Sequence, residues 1–245
     1  MATEIDRQYL KGLCLAYSIG IFWSLTLISS LTLDLSQTNV GVVLSLVVLR
    51  SFLHTGLFIV AHDAMHGSLA PHNTLLNNRI GYWCLFFYAG LSYCICHRNH
   101  TLHHQVPETS ADPDFCSPPG QFLGCWYFHF LGNYLGAGQS LALLSIWIGF
   151  YAVADVLNSQ PGISILLFCV LPLIISSLQL FIFGTWLPHR ELGDPCNELK
   201  PRSLAIHPLF SFAACYYFSY HSEHHVSPST PWFKLSSLHN SHLTT

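Results

Sequence analysis

The chain has 245 residues, of which 51% are hydrophobic and only 9% charged, with a formal net charge of −3. A typical soluble domain carries about 25% charged residues, so this balance points to the bilayer as solvent. The absence of a basic tract argues against a nucleic-acid partner, and nine cysteines without a CxxC pair predict small, buried apolar side chains rather than disulfides.

Glu4, Asp6 and Arg7 open the chain, and the apolar run behind them is too long for the core of a cleavable signal peptide. That run, about Leu10 to Leu33 with Lys11 near its start, is long enough to cross a hydrocarbon core of roughly 30 Å as a helix. A second run, Val40 to Ala61, carries Arg50 and His54. A charge there needs a partner, and Asp155 is one candidate. A shorter stretch follows at Ile80 to Cys96. Gln121 to Leu157 holds a surface helix and then a span, Ile163 to Leu187 is a further span, and Ala205 to Tyr220 is marginal. The reading is one all-α integral membrane domain over residues 1–245, with about four transmembrane helices plus interfacial or cytoplasmic helices. The stretches at 80–96 and 205–220 are then re-entrant or interfacial.

The connections carry the orientation. "DLSQTN" (34–39) and "NSQPG" (158–162) contain no Lys or Arg, whereas the other connections hold Arg79, Arg98, Arg190, Lys200 and Arg202, and the tails Arg7 and Lys234. The positive-inside rule places both termini and every histidine cluster on the cytoplasmic side.

Three clusters stand out among the 16 histidines. They are "HDAMH" (His62, His66), "HTLHH" (His100, His103, His104) and "HSEHH" (His221, His224, His225). On a helix, positions i, i+3 and i+4 share a face, so each cluster aims its imidazoles together. Eight convergent imidazoles exceed what one ion can use, so two ions are expected. A nitrogen-rich, sulfur-free donor set suits iron, copper or zinc. His189, at the end of a span, is a candidate ninth ligand. His97 is an alternative to His100, and His54 is in helical phase with His62. His129 reads as structural, and His72, His207, His239 and His242 as solvated or interfacial. Asp63, Glu223, Asp112 and Asp114 are candidates to orient ligand imidazoles. Phe58, Tyr93, Phe218 and Tyr220 are weaker candidates to line a substrate path.

The segments "HDAMHG", "HRNHTLHH", "ADPDF", "TWLPHRE" and "FSYHSEHHVSPSTPWFKL" together resemble the membrane fatty acid desaturase and hydroxylase superfamily, and within it the β-carotene ketolase family. The resemblance covers nearly the whole chain. It implies two iron ions (Fe2+) on His62, His66, His100, His103, His104, His189, His221, His224 and His225. It also implies O2 as co-substrate, a carotenoid drawn from the lipid bilayer, and an external electron donor of ferredoxin type. The implied reaction oxidises the allylic ring carbon 4 to a ketone through successive hydroxylations. The first box is HxxxH where many desaturases have HxxxxH, which favours carotenoid oxidation over acyl desaturation. A carotenoid ring hydroxylase, an acyl desaturase or hydroxylase, and a divalent-metal transporter remain as alternatives. No flavin, haem or nicotinamide motif is present.

Overall fold

The computed structural model describes residues 4–116, 122–190 and 201–243. The described residues form helices α1 (Glu4–Leu31), α2 (Val40–Met65), α3 (Thr74–Ala89), α4 (Tyr93–Gln105), α5 (Leu123–Tyr134) and α6 (Ala137–Leu157). A long helix α7 (Pro161–His189) follows, and then the short α8 (Pro208–Cys215), α9 (His221–Val226) and α10 (Leu235–Leu243). Four helices, α1, α2, α6 and α7, are long and apolar enough to cross a membrane. Their outer faces carry exposed Phe22, Leu25, Leu44, Leu144 and Ile148, as expected where lipid is the solvent. This is an integral membrane protein.

Local signals set the ends of these helices. Asn39 caps α2 by accepting the Gly41 N–H at 2.8 Å, and Asn73 caps α3 through the Leu76 N–H at 3.0 Å. α3 stops at Gly90, which sits in the left-handed region at φ +65. The Gly90 N–H bonds back to Phe86 O at 2.8 Å and the Leu91 N–H to Leu85 O at 3.2 Å, closing the helix end. The chain then turns by 100° into α4. The 80–96 stretch is therefore a bent helix pair rather than a single segment. In the 205–220 stretch only Pro208–Cys215 is α-helical, and Tyr216 and Tyr217, at φ 49 and 68, turn the chain back toward the third cluster.

α7 contains two π-helical turns, Leu166–Val170 and Phe181–Trp186. Each precedes a proline, Pro172 or Pro188, that cannot donate an N–H to the carbonyl four residues earlier. For Pro172 that carbonyl is Phe168 O, and Arg50 Nε donates to it at 2.5 Å. Arg50 Nη1 also reaches Trp23 O at 3.1 Å and Thr26 Oγ1 at 3.3 Å. Arg50 thus locks α1, α2 and α7 together. The candidate partner Asp155 is instead exposed. Backbone carbonyls answer the charge, because the proline break frees one at the right depth.

At the same end of the bundle, Asn158 Nδ2 donates to Leu31 O at 2.5 Å, so the 32–39 and 158–160 connections are neighbours. The histidine-bearing ends of α2 and α7 lie at the opposite end. Among the described residues Cys96, Cys116, Cys169 and Cys215 are buried as expected. Cys14, Cys94 and Cys125 are exposed instead. Cys196 lies outside the described residues.

Candidate metal centre

Four elements converge on one place. α2 delivers His62 and His66 from its last turns, α4 delivers His100, His103 and His104, α9 delivers His221, His224 and His225, and α7 ends at His189. The ligand atoms fall into two groups, within each of which all atoms lie within 4.8 Å of one another. The first holds His62, His66, His100, His104 and His224, and the second His103, His189, His221 and His225. Adjacent residues on a helix diverge by about 100°, so each His-His dipeptide splits between the groups. His103 faces the second and His104 the first, while His224 faces the first and His225 the second.

Within the groups, nitrogens confront one another. Nε2 of His66 lies 2.7 Å from Nε2 of His100, and that of His104 lies 2.9 Å from that of His224. Nε2 of His225 lies 3.1 Å from those of both His103 and His221. A neutral imidazole has one donor and one acceptor nitrogen, so such a convergence of ring nitrogens leaves lone pairs aimed at a common point. Both nitrogens of His62, Nε2 of His189 and Nδ1 of His221 are buried without a hydrogen-bond partner. Each would cost about 1–3 kcal/mol if left so, and a cation would remove that cost at the one nitrogen of each ring that binds it. Burial, reinforced by neighbouring histidines, holds His221, His224 and His225 well below the ordinary imidazole range and pushes His66 down to about 4. They are therefore neutral near pH 7, the form that binds a metal. Donor chemistry, convergence and orphaned nitrogens all fit metal ions.

The carboxylates divide. Both oxygens of Asp112 lie 3.0 Å from Nδ1 of His103. Asp114 Oδ2 is 4.0 Å from the same atom, and its Oδ1 accepts the Tyr134 hydroxyl. Burial raises the Asp114 pKa to about 6 against the pull of His103. Asp63 does not orient an imidazole: it lies 3.8 Å from His62 Nδ1 and instead accepts the Trp232 N–H at 3.2 Å. Glu223 likewise accepts the Ser203 hydroxyl and, at 2.6 Å, His239 Nδ1. Both tie the C-terminal segment down. His239 is half-buried and stacks on Tyr220 at 4.2 Å, so it is not solvated. His54 is buried away from the two groups, its Nδ1 accepting from Trp23 at 3.0 Å and its Nε2 2.7 Å from Tyr88 O.

His97 is exposed and stacked on Tyr93, leaving His100 in the group. His72, His129 and His207 are exposed, and the side chain of His242 lies outside the described residues. Glu108 escaped the sequence reading: its Oε1 lies 2.9 Å from Nδ1 of His189, both groups buried. It stands in a loop, 81 positions from His189, and only its place just after the second cluster hints at a role.

A cavity of about 280 Å³ abuts both groups, with His62, His100, His103 and His221 in its wall. The rest is mostly apolar, including Phe58, Tyr88, Phe130, Trp147, Leu173 and Phe218. Phe218 lies edge-on to His62 with centroids 4.6 Å apart. Phe58 and Phe218 line this cavity. Tyr93 and Tyr220 do not, their hydroxyls being spent on Ala64 O and Ile206 O.

Known proteins place this arrangement. The sequence model described as fatty acid desaturase matches residues 38–141 and 133–244. The β-carotene ketolase of Paracoccus sp. (strain N81106 / MBIC 01143) is 40% identical over 76% of this chain and 75% of its own. The β-carotene 4-ketolase 3 of Haematococcus lacustris is 36% identical over 77% of this chain and 59% of its own. The zeaxanthin 4-ketolase of Chlamydomonas reinhardtii is 32% identical over 94% of this chain and 53% of its own. The chain therefore spans little more than half the length of these two algal relatives. No solved structure matches it. A family match running from α2 to the last helix leaves one assignment: this chain belongs to the fatty acid desaturase family.

Proposed function

We propose that the chain is a β-carotene 4-ketolase. Nine histidines hold two iron ions, and O2 and external electrons convert ring carbon 4 of a carotenoid to a ketone. The observation that carries this reading is the apolar cavity whose wall includes histidines of both groups. The names of the relatives at 32–40% identity support the substrate class.

Removing hydrogen from an allylic carbon needs an oxidant that no side chain supplies, and bound iron with O2 provides it. The chain's own residues do the rest. His62, His66, His100, His104 and His224 would hold one ion, and His103, His189, His221 and His225 the other. Asp112 and Glu108 fix the rings of His103 and His189 through their Nδ1 atoms. Phe58, Tyr88, Trp147 and Phe218 hold the ring and exclude water. The cavity, at about 280 Å³, lies just below the roughly 300–1,000 Å³ range of small-molecule sites, so it takes one ring end and not a whole C40 hydrocarbon. The polyene remains in lipid. A first round places a hydroxyl on carbon 4, a second makes a geminal diol, and loss of water leaves the ketone.

By the positive-inside bias the histidine end faces the cytoplasm, where a ferredoxin-type donor would deliver electrons. The test is pigment analysis, by chromatography with mass detection, of β-carotene-accumulating cells expressing the chain. A product in which one oxygen replaces two hydrogens is expected. A product that simply gains an oxygen would make the chain a ring hydroxylase. Unchanged pigment with iron bound and electrons supplied would overturn the carotenoid reading.

A further inference from the structure

The two histidine groups have unequal surroundings. In the second, Nδ1 of His103 meets Asp112 at 3.0 Å and Nδ1 of His189 meets Glu108 at 2.9 Å. The two carboxylates belong to one tight loop. The Glu108 N–H donates to Asp112 Oδ2 at 2.9 Å and the Asp114 N–H to Asp112 Oδ1 at 2.8 Å. Glu108 adopts φ +61 in this loop, a left-handed conformation unusual for a residue other than glycine. Asn133 Nδ2 grips Pro113 O at 2.6 Å and Trp126 Nε1 grips Asp114 O at 2.7 Å, fixing the loop on α5. Three of the four imidazoles here are buried.

No carboxylate hydrogen-bonds any imidazole of the first group among the described residues. The nearest, Asp63, is 3.8 Å from His62 and committed to Trp232. Three of these five rings are only half-buried. The first group has one more imidazole, but a neutral donor brings no counter-charge. A carboxylate on a ligand's distal N–H fixes the ring, raises its basicity and offsets the charge of the ion.

We infer that the centre is asymmetric: Glu108 and Asp112 are positioning residues that make the His103–His189–His221–His225 site retain its metal while the His62–His66–His100–His104–His224 site exchanges. This rests on the two-ion reading above. The experiment loads the purified full chain, in lipid or detergent and without oxygen, with ferrous iron. Removal by a chromogenic ferrous chelator is then followed in time. Two phases of equal amplitude are expected, the slow one roughly tenfold slower or more.

Glu108→Gln and Asp112→Asn should each speed the slow phase by about 10–100-fold and leave the fast phase where it was. A merely structural lesion would move both phases, so an unchanged fast phase also reports a folded site. A single phase in the unmodified chain, or a slow phase indifferent to both variants, overturns the asymmetry. Binding of fewer than two ions per chain overturns the two-ion reading itself, so the two failures are distinguishable.

Discussion

At the scale of single residues, the ring nitrogens decide what the centre does. His104 and His224 confront each other at 2.9 Å through Nε2. Replacing either with Ala should lower bound iron and abolish ketone formation. Iron counted by mass spectrometry in the purified variants checks this, and a normal count in both would remove them from the ligand set. Acid should act on the same atoms. The His66 imidazole titrates near 4 in the fold because of burial, against about 6.5 in an unfolded chain. The unfolded chain therefore takes up protons first. The stability this group contributes to the metal-free protein is fully present above about pH 6.5 and is lost as pH falls toward 4. Thermal melts of metal-free protein at pH 7 and pH 5 should show the lower midpoint at pH 5. The histidines were legible in the sequence because three or four residues on a helix is a fixed angular step. Of their carboxylate partners, Asp112 was legible from its place just after the second cluster, and Glu108 was not. Asp63 and Glu223 sit beside ligands in sequence, yet adjacent side chains diverge, and both serve the C-terminal segment instead. Glu108 reaches His189 across 81 positions through a loop that no periodicity describes.

At the scale of elements, the bend at Gly90 turns α4 under the bundle and so aims the second cluster. An added Cβ there would meet Leu143 N at 2.7 Å and Gln139 O at 2.9 Å, both backbone atoms of α6. The positive φ adds about 1–2 kcal/mol for an L side chain. Gly90→Ala should therefore lower the melting temperature and weaken iron retention together, measurable by calorimetry and metal analysis on one preparation. The mouth of the cavity is a second element-scale feature. α6 packs on α1, on α3 and on the first turn of α7, and scarcely on Leu171–Leu180. Ile174, on that segment, is 47% exposed and lines the cavity. Ile174→Trp should raise the KM for a full-length carotenoid severalfold while leaving bound iron unchanged. An unaltered KM would place the entrance elsewhere. Hydropathy gave the four long helices because an apolar run of that length has one use in lipid. It could not give the 100° turn, which depends on α6 meeting a residue without a side chain, nor the carbonyl freed by Pro172 for Arg50.

At the scale of the whole molecule, the two short connections without basic residues meet at one end, and the histidines gather at the other. A protease site placed within residues 34–39 and another near residue 243 should be cut from opposite faces of sealed vesicles. Cleavage of both from one face would contradict the two-ended arrangement. The distribution of ligands along the chain also sets a timetable. Both groups need members from His221–His225. A ribosome that has not yet translated residue 221 has released at most His62, His66, His100 and His104 for one group and His103 and His189 for the other. Neither group's full set of ligands is therefore available before the third cluster has been made. The helices that carry the first two clusters would then enter the membrane with bare imidazoles, and neither group would be complete until the third cluster had been made.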